Sequence, residues 1–377
     1  MLNHKGTEAQ SLKRSVTMPP MKTAIGLGVA VMLAGMAMAQ TRQVIDAHAH
    51  LGMPGGKYDV AKSAALAIRI MDANGVSKTV DYSGGYGEAL RGKIAYYNRQ
   101  YPGRFVTCVN IPWERIDEPE FPKKAMTIVE QAHKDGARCV KVFKSLGLGA
   151  RDASGKLVRV DDQRADAVWA KAGELRMPVM IHTGDPAAFF RPPTPDNERY
   201  GELGVHPEWS FYGPQWPSRE ELLAQLLRVV ANHPETDFLG LHFGNNPEDM
   251  RWVTRVMARF PNFWLDTGAR VGEIGRHNPA ELRAVFVRFQ DRVLFGTDAA
   301  YEDDHLTLGV PEPRSKTIEE SREFFRRHWE FFETDHRNIE HPSPIQGNWK
   351  VNAINLPPEV LWKLYAENAR RLIPALR

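Results

Sequence analysis

Beyond residue 40 the chain alternates between two kinds of segment, and this alternation narrows the choice of fold more than any other feature. Short runs rich in β-branched and aromatic residues are expected as strands at 43–48, 77–82, 105–110, 138–143, 178–182, 237–242, 263–266 and 293–296. Longer runs with helical spacing are expected as helices at 60–74, 87–101, 123–135, 163–175, 219–232, 247–260, 279–289 and 357–372. Strict alternation of this kind suits a parallel sheet with helical crossovers. The strand runs are apolar at both parities, as strands covered on both faces are. Eight such units predict a (β/α)8 TIM barrel, with a doubly wound open sheet as the alternative. Ser218 ahead of Arg219-Glu220-Glu221, and Pro247, Pro279 and Pro357, mark helix starts.

Two segments interrupt the rhythm. Residues 184–217 follow the fifth strand and carry Phe189, Phe190, Tyr200, Trp209, Phe211, Tyr212 and Trp216. An insertion at about 299–356 follows the eighth strand, with a helix-like stretch near 317–332. Both leave from strand C-terminal ends, the face where barrel enzymes keep their active sites. Connections this long are commonly functional. They are read as walls or lids of a site, with packing or a homodimer contact as the alternative.

The first 39 residues stand apart. Residues 21–39 read MKTAIGLGVAVMLAGMAMA: a basic start, an apolar run and a small-residue ending. That is the pattern of a secretory signal peptide cleaved before Gln40, so the protein is expected to be exported, periplasmic or secreted. The apolar run is short for a membrane span, so no stable membrane anchor is expected. An uncleaved anchor, or a true start at Met18 or Met21, is the competing reading. The barrel domain is then 40–377. The chain's net charge is +3, and Lys5, Lys13, Arg14 and Lys22 against Glu8 account for all of it. A formally neutral body gives no electrostatic reason for a nucleic-acid partner. With 42% hydrophobic and 25% charged residues, a disordered chain and a polytopic membrane protein are both excluded. Cys108 and Cys139 are expected as two buried free thiols, with a bridge between neighbouring strands as the alternative.

Chemistry is concentrated at the strand ends. The first strand closes on Asp46-Ala47-His48-Ala49-His50. Side chains two apart on a strand point the same way, so His48 and His50 can approach one metal ion together. The fifth strand ends at His182, the sixth at His242 and the eighth at Gly296-Thr297-Asp298. A barrel brings all these ends to one rim, where histidines and a carboxylate would form a metal site.

These residues, in this order, resemble the amidohydrolase superfamily. The resemblance is closest to its amidohydrolase-related branch, which includes aminocarboxymuconate semialdehyde decarboxylase-like enzymes. It runs from Val44 to the end of the chain and includes Glu367-Asn368-Ala369-Arg370-Arg371-Leu372, similar to that branch's final-helix motif. It implies His48, His50, His182 and Asp298 as metal ligands. His242 would be a second-metal ligand or a base touching the attacking water, and Asp298 would take that water's proton. The fourth strand reads Cys139-Val140-Lys141-Val142-Phe143-Lys144. In two-metal members a Lys on this strand is carbamylated and bridges the ions, which Lys141 would match. Otherwise Lys141 stays an amine that pairs a carboxylate or binds an acidic substrate. Lys141 and Lys144 have opposite parity, so at most one is expected to point inward easily.

The expected function is therefore that of a metal-dependent hydrolase, with zinc as the first choice and one or two ions. Metal-activated water would attack an amide, ester or lactone in a small molecule, possible because a bound ion lowers the pKa of water from ~15.7 toward ~7. The rivals are a one-metal decarboxylase of the same branch and a non-catalytic metal- or ligand-binding barrel. Arg270 is a candidate clamp for a substrate carboxylate. Arg191, Tyr200 and Trp209 are candidates for the pocket, whose aromatic character suggests a ring-bearing or carboxylated substrate. Asp46 is read as a buried structural carboxylate, and Asn245 and Asn246 as caps of the following helix. No phosphate-loop or serine-hydrolase motif occurs.

Overall fold

Strand β1, Val44–Leu51, is buried along its whole length and organises everything around it. The computed structural model describes residues 43–52 and 57–377, so the expected signal peptide and its cleavage point lie outside the described residues. Nine further strands share a sheet with β1: β2 (Val76–Asp81), β3 (Phe105–Asn110), β4 (Cys139–Val142), β5 (Val179–Ile181), β6 (Phe238–Gly240), β7 (Phe263–Asp266), β8 (Val293–Leu294), β9 (Ala299–Glu302) and β10 (His305–Thr307). Their order is β10-β9-β1-β2-β3-β4-β5-β6-β7-β8. Every pairing is parallel except that of β9 with β10.

The sheet curls on itself. Just past β8, Phe295 O accepts from Ala47 N at 3.0 Å, and Asp298 N donates to His48 O at 2.8 Å. The expectation of eight strands needs correction here. Asp298 takes a φ of 62°, which breaks the strand, and the chain then resumes as β9, with Ala299 opposite Ala49 and Tyr301 opposite Leu51. Residues assigned to the insertion thus complete the sheet before leaving it.

Helices follow the strands much as the periodicity predicts: α1 (Val60–Asn74), α2 (Gly87–Gln100), α3 (Phe121–Asp135), α4 (Asp166–Glu174), α5 (Arg219–Asn232), α6 (Met250–Arg259), α7 (Pro279–Arg288) and, in the insertion, α8 (Ile318–Glu333). Their starts are capped as the sequence suggests: Ser218 accepts from Glu221 N, and Thr317 with Glu320 forms a reciprocal capping box. Helix α6 starts later than expected. Its cap is Asp249, which accepts from Trp252 N, whereas Asn245 and Asn246 are buried and do not cap it; Asn245 instead closes the short turn Leu241–Gly244. After α8 the insertion forms a small hairpin of β11 (Ile339–Glu340) and β12 (Lys350–Val351).

Two apolar cores result. One lies between sheet and helices and includes Leu66, Ile70, Val168, Leu226 and Phe286. The other is enclosed by the curl and includes Ile45, Val106, Met180, Leu239 and Leu294, with Ala366, Ala369 and Leu372 of the last helical stretch. Asn368 explains part of the C-terminal motif: wholly buried, it donates to Val293 O at 2.8 Å and Gln290 O at 2.7 Å, pinning the helix beneath β8. The expectation of two free thiols is overturned. Cys108 and Cys139 are register partners on β3 and β4, with Cα atoms 4.4 Å apart, and form a disulfide. Among the described residues no helix is long and apolar enough to cross a membrane.

Candidate metal centre and cavity

Strand β1 departs from an even ladder: its register against β2 shifts between Val44 and Ile45 and again between Asp46 and Ala49. Such irregularities re-aim side chains. Asp46 anchors the shifted stretch, accepting from His48 N at 3.1 Å, Thr297 N at 3.0 Å and Thr297 Oγ1 at 2.5 Å. Burial pushes its carboxyl up to about 6 even so. It is a structural carboxylate that ties β1 to the segment carrying Asp298.

His48 and His50 then both reach Asp298 Oδ1, through Nε2 at 3.0 Å and 3.3 Å. The ligand atoms of these three residues all lie within 4.8 Å of one another. The other ring nitrogen of each histidine is held from behind. His48 Nδ1 donates to Asp266 Oδ2 at 2.6 Å, and His50 Nδ1 meets Ser83 Oγ at 3.0 Å. Asp266 is itself fixed by His242 N at 2.7 Å and Gly268 N at 3.3 Å. With Nδ1 committed to Asp266, His48 turns its buried Nε2 to a carboxylate oxygen, and on a neutral ring that nitrogen is an acceptor. Two acceptors in contact call for a cation between them. Burial alone would lower the His48 pKa, but Asp298 and Asp266 outweigh it and raise it to about 9, so a proton competes with a metal ion for that place.

A second pair repeats the pattern. His242 stands where β6 has already ended, in a left-handed turn (φ 55°, followed by Phe243 at 59°) rather than on the expected strand. Its Nδ1 donates to Gly268 O at 2.9 Å. His182 Nε2 faces Asp185 Oδ1 at 3.3 Å, and Asp185 Oδ2 takes Lys144 Nζ at 2.7 Å. The remaining nitrogens, His182 Nδ1 and His242 Nε2, meet at 3.2 Å as two lone pairs. Burial lowers both pKa values, that of His182 to about 4, so both imidazoles are neutral, as metal ligands must be. His182 is therefore not in the three-residue group with His48, His50 and Asp298; it forms a neighbouring pair with His242, whose Nδ1 is 4.0 Å from Asp298 Oδ2.

Both sets open on one cavity, which Phe143, Phe189, Trp209, Val310 and Pro311 line on the apolar side. Its cations are Lys141, Lys144 and Arg270. Both lysines reach it despite their opposite parity, because β4 ends at Val142 and Lys144 already sits in a helical turn. Lys141 Nζ lies 4.8 Å from the ring centres of Tyr82 and Phe143, and burial lowers its pKa to about 7. Trp209 lines the cavity as expected and packs against Lys144, with Nζ 4.5 Å from its ring centre. Arg191 and Tyr200 do not line it: Arg191 borders a separate surface groove with Tyr212 and Trp216, and Tyr200 is half exposed.

The family model described as Amidohydrolase matches residues 45–375, nearly all of the described chain. The chain belongs to the amidohydrolase family. No curated protein matches this amidohydrolase. Among solved structures, it is similar to an uncharacterised TIM-barrel protein from Bordetella bronchiseptica at 17% identity and a TM-score of 0.51, covering 89% of this chain and 99% of that one. It is also similar to 2,6-dihydroxybenzoate decarboxylase from Rhizobium at 17% identity and a TM-score of 0.51, covering 88% and 98%. At this identity the likeness speaks for the TIM-barrel fold alone. Sequence reasoning singled out His48, His50, His182, His242 and Asp298, which the fold of this amidohydrolase brings together, but passed over Asp266, Asp185 and Ser83. Asp266 had a visible signal: it is a carboxylate at a strand end, in the Asp266-Thr267-Gly268-Ala269-Arg270 run from which only Arg270 was singled out.

Proposed function

We propose that this amidohydrolase is an exported, metal-dependent hydrolase that opens an amide, ester or lactone bond in a small, ring-bearing carboxylate. The observation that carries the reading is the convergence of His48 Nε2 on Asp298 Oδ1, and of His182 Nδ1 on His242 Nε2, at one end of a cavity. His48, His50 and Asp298 would hold one ion, zinc in the first instance, and His182 with His242 a second, with Lys141 beside them. A bound ion supplies Lewis-acid polarisation of a carbonyl and acidifies water. The chain's own residues do the rest. Burial alone would raise the Asp298 pKa, but His48 beside it outweighs that and keeps the carboxylate ionised, so it can take a proton from water. Asp266 and Gly268 O keep His48 and His242 in fixed tautomers. Phe143, Phe189 and Trp209 exclude solvent and stack a ring.

Arg270 lines the cavity with no carboxylate within ion-pair distance among the described residues, so an anionic group on the substrate would find a free guanidinium there, with Lys141, whose pKa burial lowers to about 7, beside it. This same feature favours a second reading, loss of CO2 from a ring carboxylate at a single ion. The buried disulfide supports export, since such bonds persist in oxidising compartments.

The test is product analysis on zinc-loaded protein given two panels, carboxylated aryl esters and lactones, and hydroxybenzoates. The hydrolytic reading expects ring opening or ester cleavage without CO2, and about two zinc ions per chain. Release of CO2 with one ion per chain would replace it by the decarboxylase. Mature protein recovered from the periplasm or medium should begin at Gln40; a full-length chain confined to the cytoplasm would remove the export claim.

A further inference from the structure

Arg270 is aimed by a part of the chain that lies far from it in sequence. It sits on the connection after β7, 6% exposed, with Nη1 donating to Ala269 O at 2.8 Å and Nε without a partner. Ala269 has a φ of 51°, a left-handed conformation that an alanine adopts only under constraint. The carbonyl that this conformation presents receives a second donor, Gln346 Nε2, at 2.9 Å. Gln346 is 1% exposed and belongs to the segment between β11 and β12.

That segment is bonded along the whole connection. Trp349 Nε1 donates to Gly272 O at 2.8 Å, and Asn352 N donates to Gly275 O at 3.0 Å. Gly275 lies so close beneath β12 that a Cβ there would stand 2.5 Å from Val351 Cβ. Gln346 spends its amide nitrogen on Ala269, which leaves Oε1 as a buried acceptor without a partner. His341 Nε2 donates to Gly347 O at 3.0 Å, which leaves Nδ1 as another. Both atoms lie 3.2 Å from the point where a Cβ on Gly272 would be. Two acceptors converging on the space above a glycine fit the two hydrogens of one buried water.

We propose that Gln346 is a positioning residue for Arg270: by holding Ala269 O beside the guanidinium, with a water over Gly272 completing the joint, it points Arg270 at the anionic group of the substrate. The inference rests on the reading that the cavity takes an anion through Arg270. Gln346 itself touches no substrate, and the hairpin would thereby set which anions are accepted.

Calorimetric titration of the zinc-loaded enzyme with benzoate tests it through a double-mutant cycle. Arg270→Gln should weaken benzoate binding strongly, and Gln346→Met should weaken it about ten-fold. The double variant should bind no more weakly than Arg270→Gln alone, because Gln346 acts through Arg270. If Gln346→Met does not fold, Gln346→Leu, which is close in shape, removes the donor and adds no charge, takes its place in the cycle. Unchanged benzoate binding in the Gln346 variant, or a loss that simply adds to that of Arg270→Gln, overturns the positioning role and leaves the anion reading standing. Unchanged binding in Arg270→Gln overturns the anion reading and, with it, this inference.

Discussion

His48 and Arg270 face the same cavity but are held by different means. His48 stands on a strand buried along its length, and its ring is fixed by a carboxylate one strand-tip away. Arg270 stands on a connection, next to an alanine in a left-handed conformation, and its aim depends on a hairpin about seventy residues later in the chain. Strand tips are rigid because the ladder fixes them; connections are only as rigid as whatever is packed on them. Of the candidate metal donors, His48 and His50 thus stand on the ladder itself, whereas Arg270 on the cavity wall stands on a connection.

The most severe way to break the comparison is on the strand side. His48→Ala should remove the ion that His48, His50 and Asp298 would hold, lowering the metal content by about one per chain, and take turnover to background while the fold survives. Metal content and rate measured on the same preparation decide it; full metal with lost activity would mean that His48 is not a ligand. A structural loss on the same side is next in size. Cys108 and Cys139 close a loop over a sequence separation of 31 across the strands that carry Lys141, for which loop-closure entropy gives about 3–4 kcal/mol. Thermal melts with and without strong reductant should show a fall of that order, and coincident melts would deny the disulfide a stabilising role. Smaller again is Asp266→Asn. The amide still fills the space but cannot hold the His48 proton with a full charge, so metal affinity should fall about ten- to a hundred-fold. Zinc competition against a chelator reads this directly; an unchanged affinity would reduce Asp266 to a backbone anchor.

How much of this could be read from the sequence follows the same division. Strand tips were legible because their chemistry is local: His48 and His50 are two apart, and His182, His242 and Asp298 each end an apolar run. What those residues touch was not legible. The pairing of His48 with Asp266 spans more than two hundred positions, and that of His182 with His242 depends on a left-handed turn that continues through Phe243, a bulky residue for which that conformation is an outlier. The reach of Lys144 into the cavity was missed because parity arguments hold only while the strand lasts, and β4 stops two residues short of it. Residues in the long connections fared worst. Trp209 lines the cavity whereas Arg191 and Tyr200 do not, because composition says that a loop is aromatic without saying which rings fold inward.

The connection side should also respond to pH, through a group that stands apart from the candidate metal donors. His328 on α8 is buried against Phe295 and Phe324, with Nδ1 donating to Phe324 O at 2.8 Å. Burial depresses its pKa from the usual 6.5 to about 4. A histidine depressed in the folded state contributes stability that is complete above pH 6.5 and is lost as pH falls toward 4, since the unfolded chain takes up the proton first. Linkage puts the loss at about 2 kcal/mol between pH 7 and pH 5. His328→Gln should flatten that part of the stability curve in chemical denaturation. Because α8 leads into the hairpin that holds Ala269, the protection of amides at 339–351, corrected for the intrinsic exchange rate at each pH, should fall over the same pH range in the wild type while that of β1 falls less. If His328→Gln loses stability between pH 7 and 5 as steeply as the wild type, the insertion is not the acid-sensitive part. The contrast between its wall and the strand tips would then have to be carried by Gln346 and Arg270 alone.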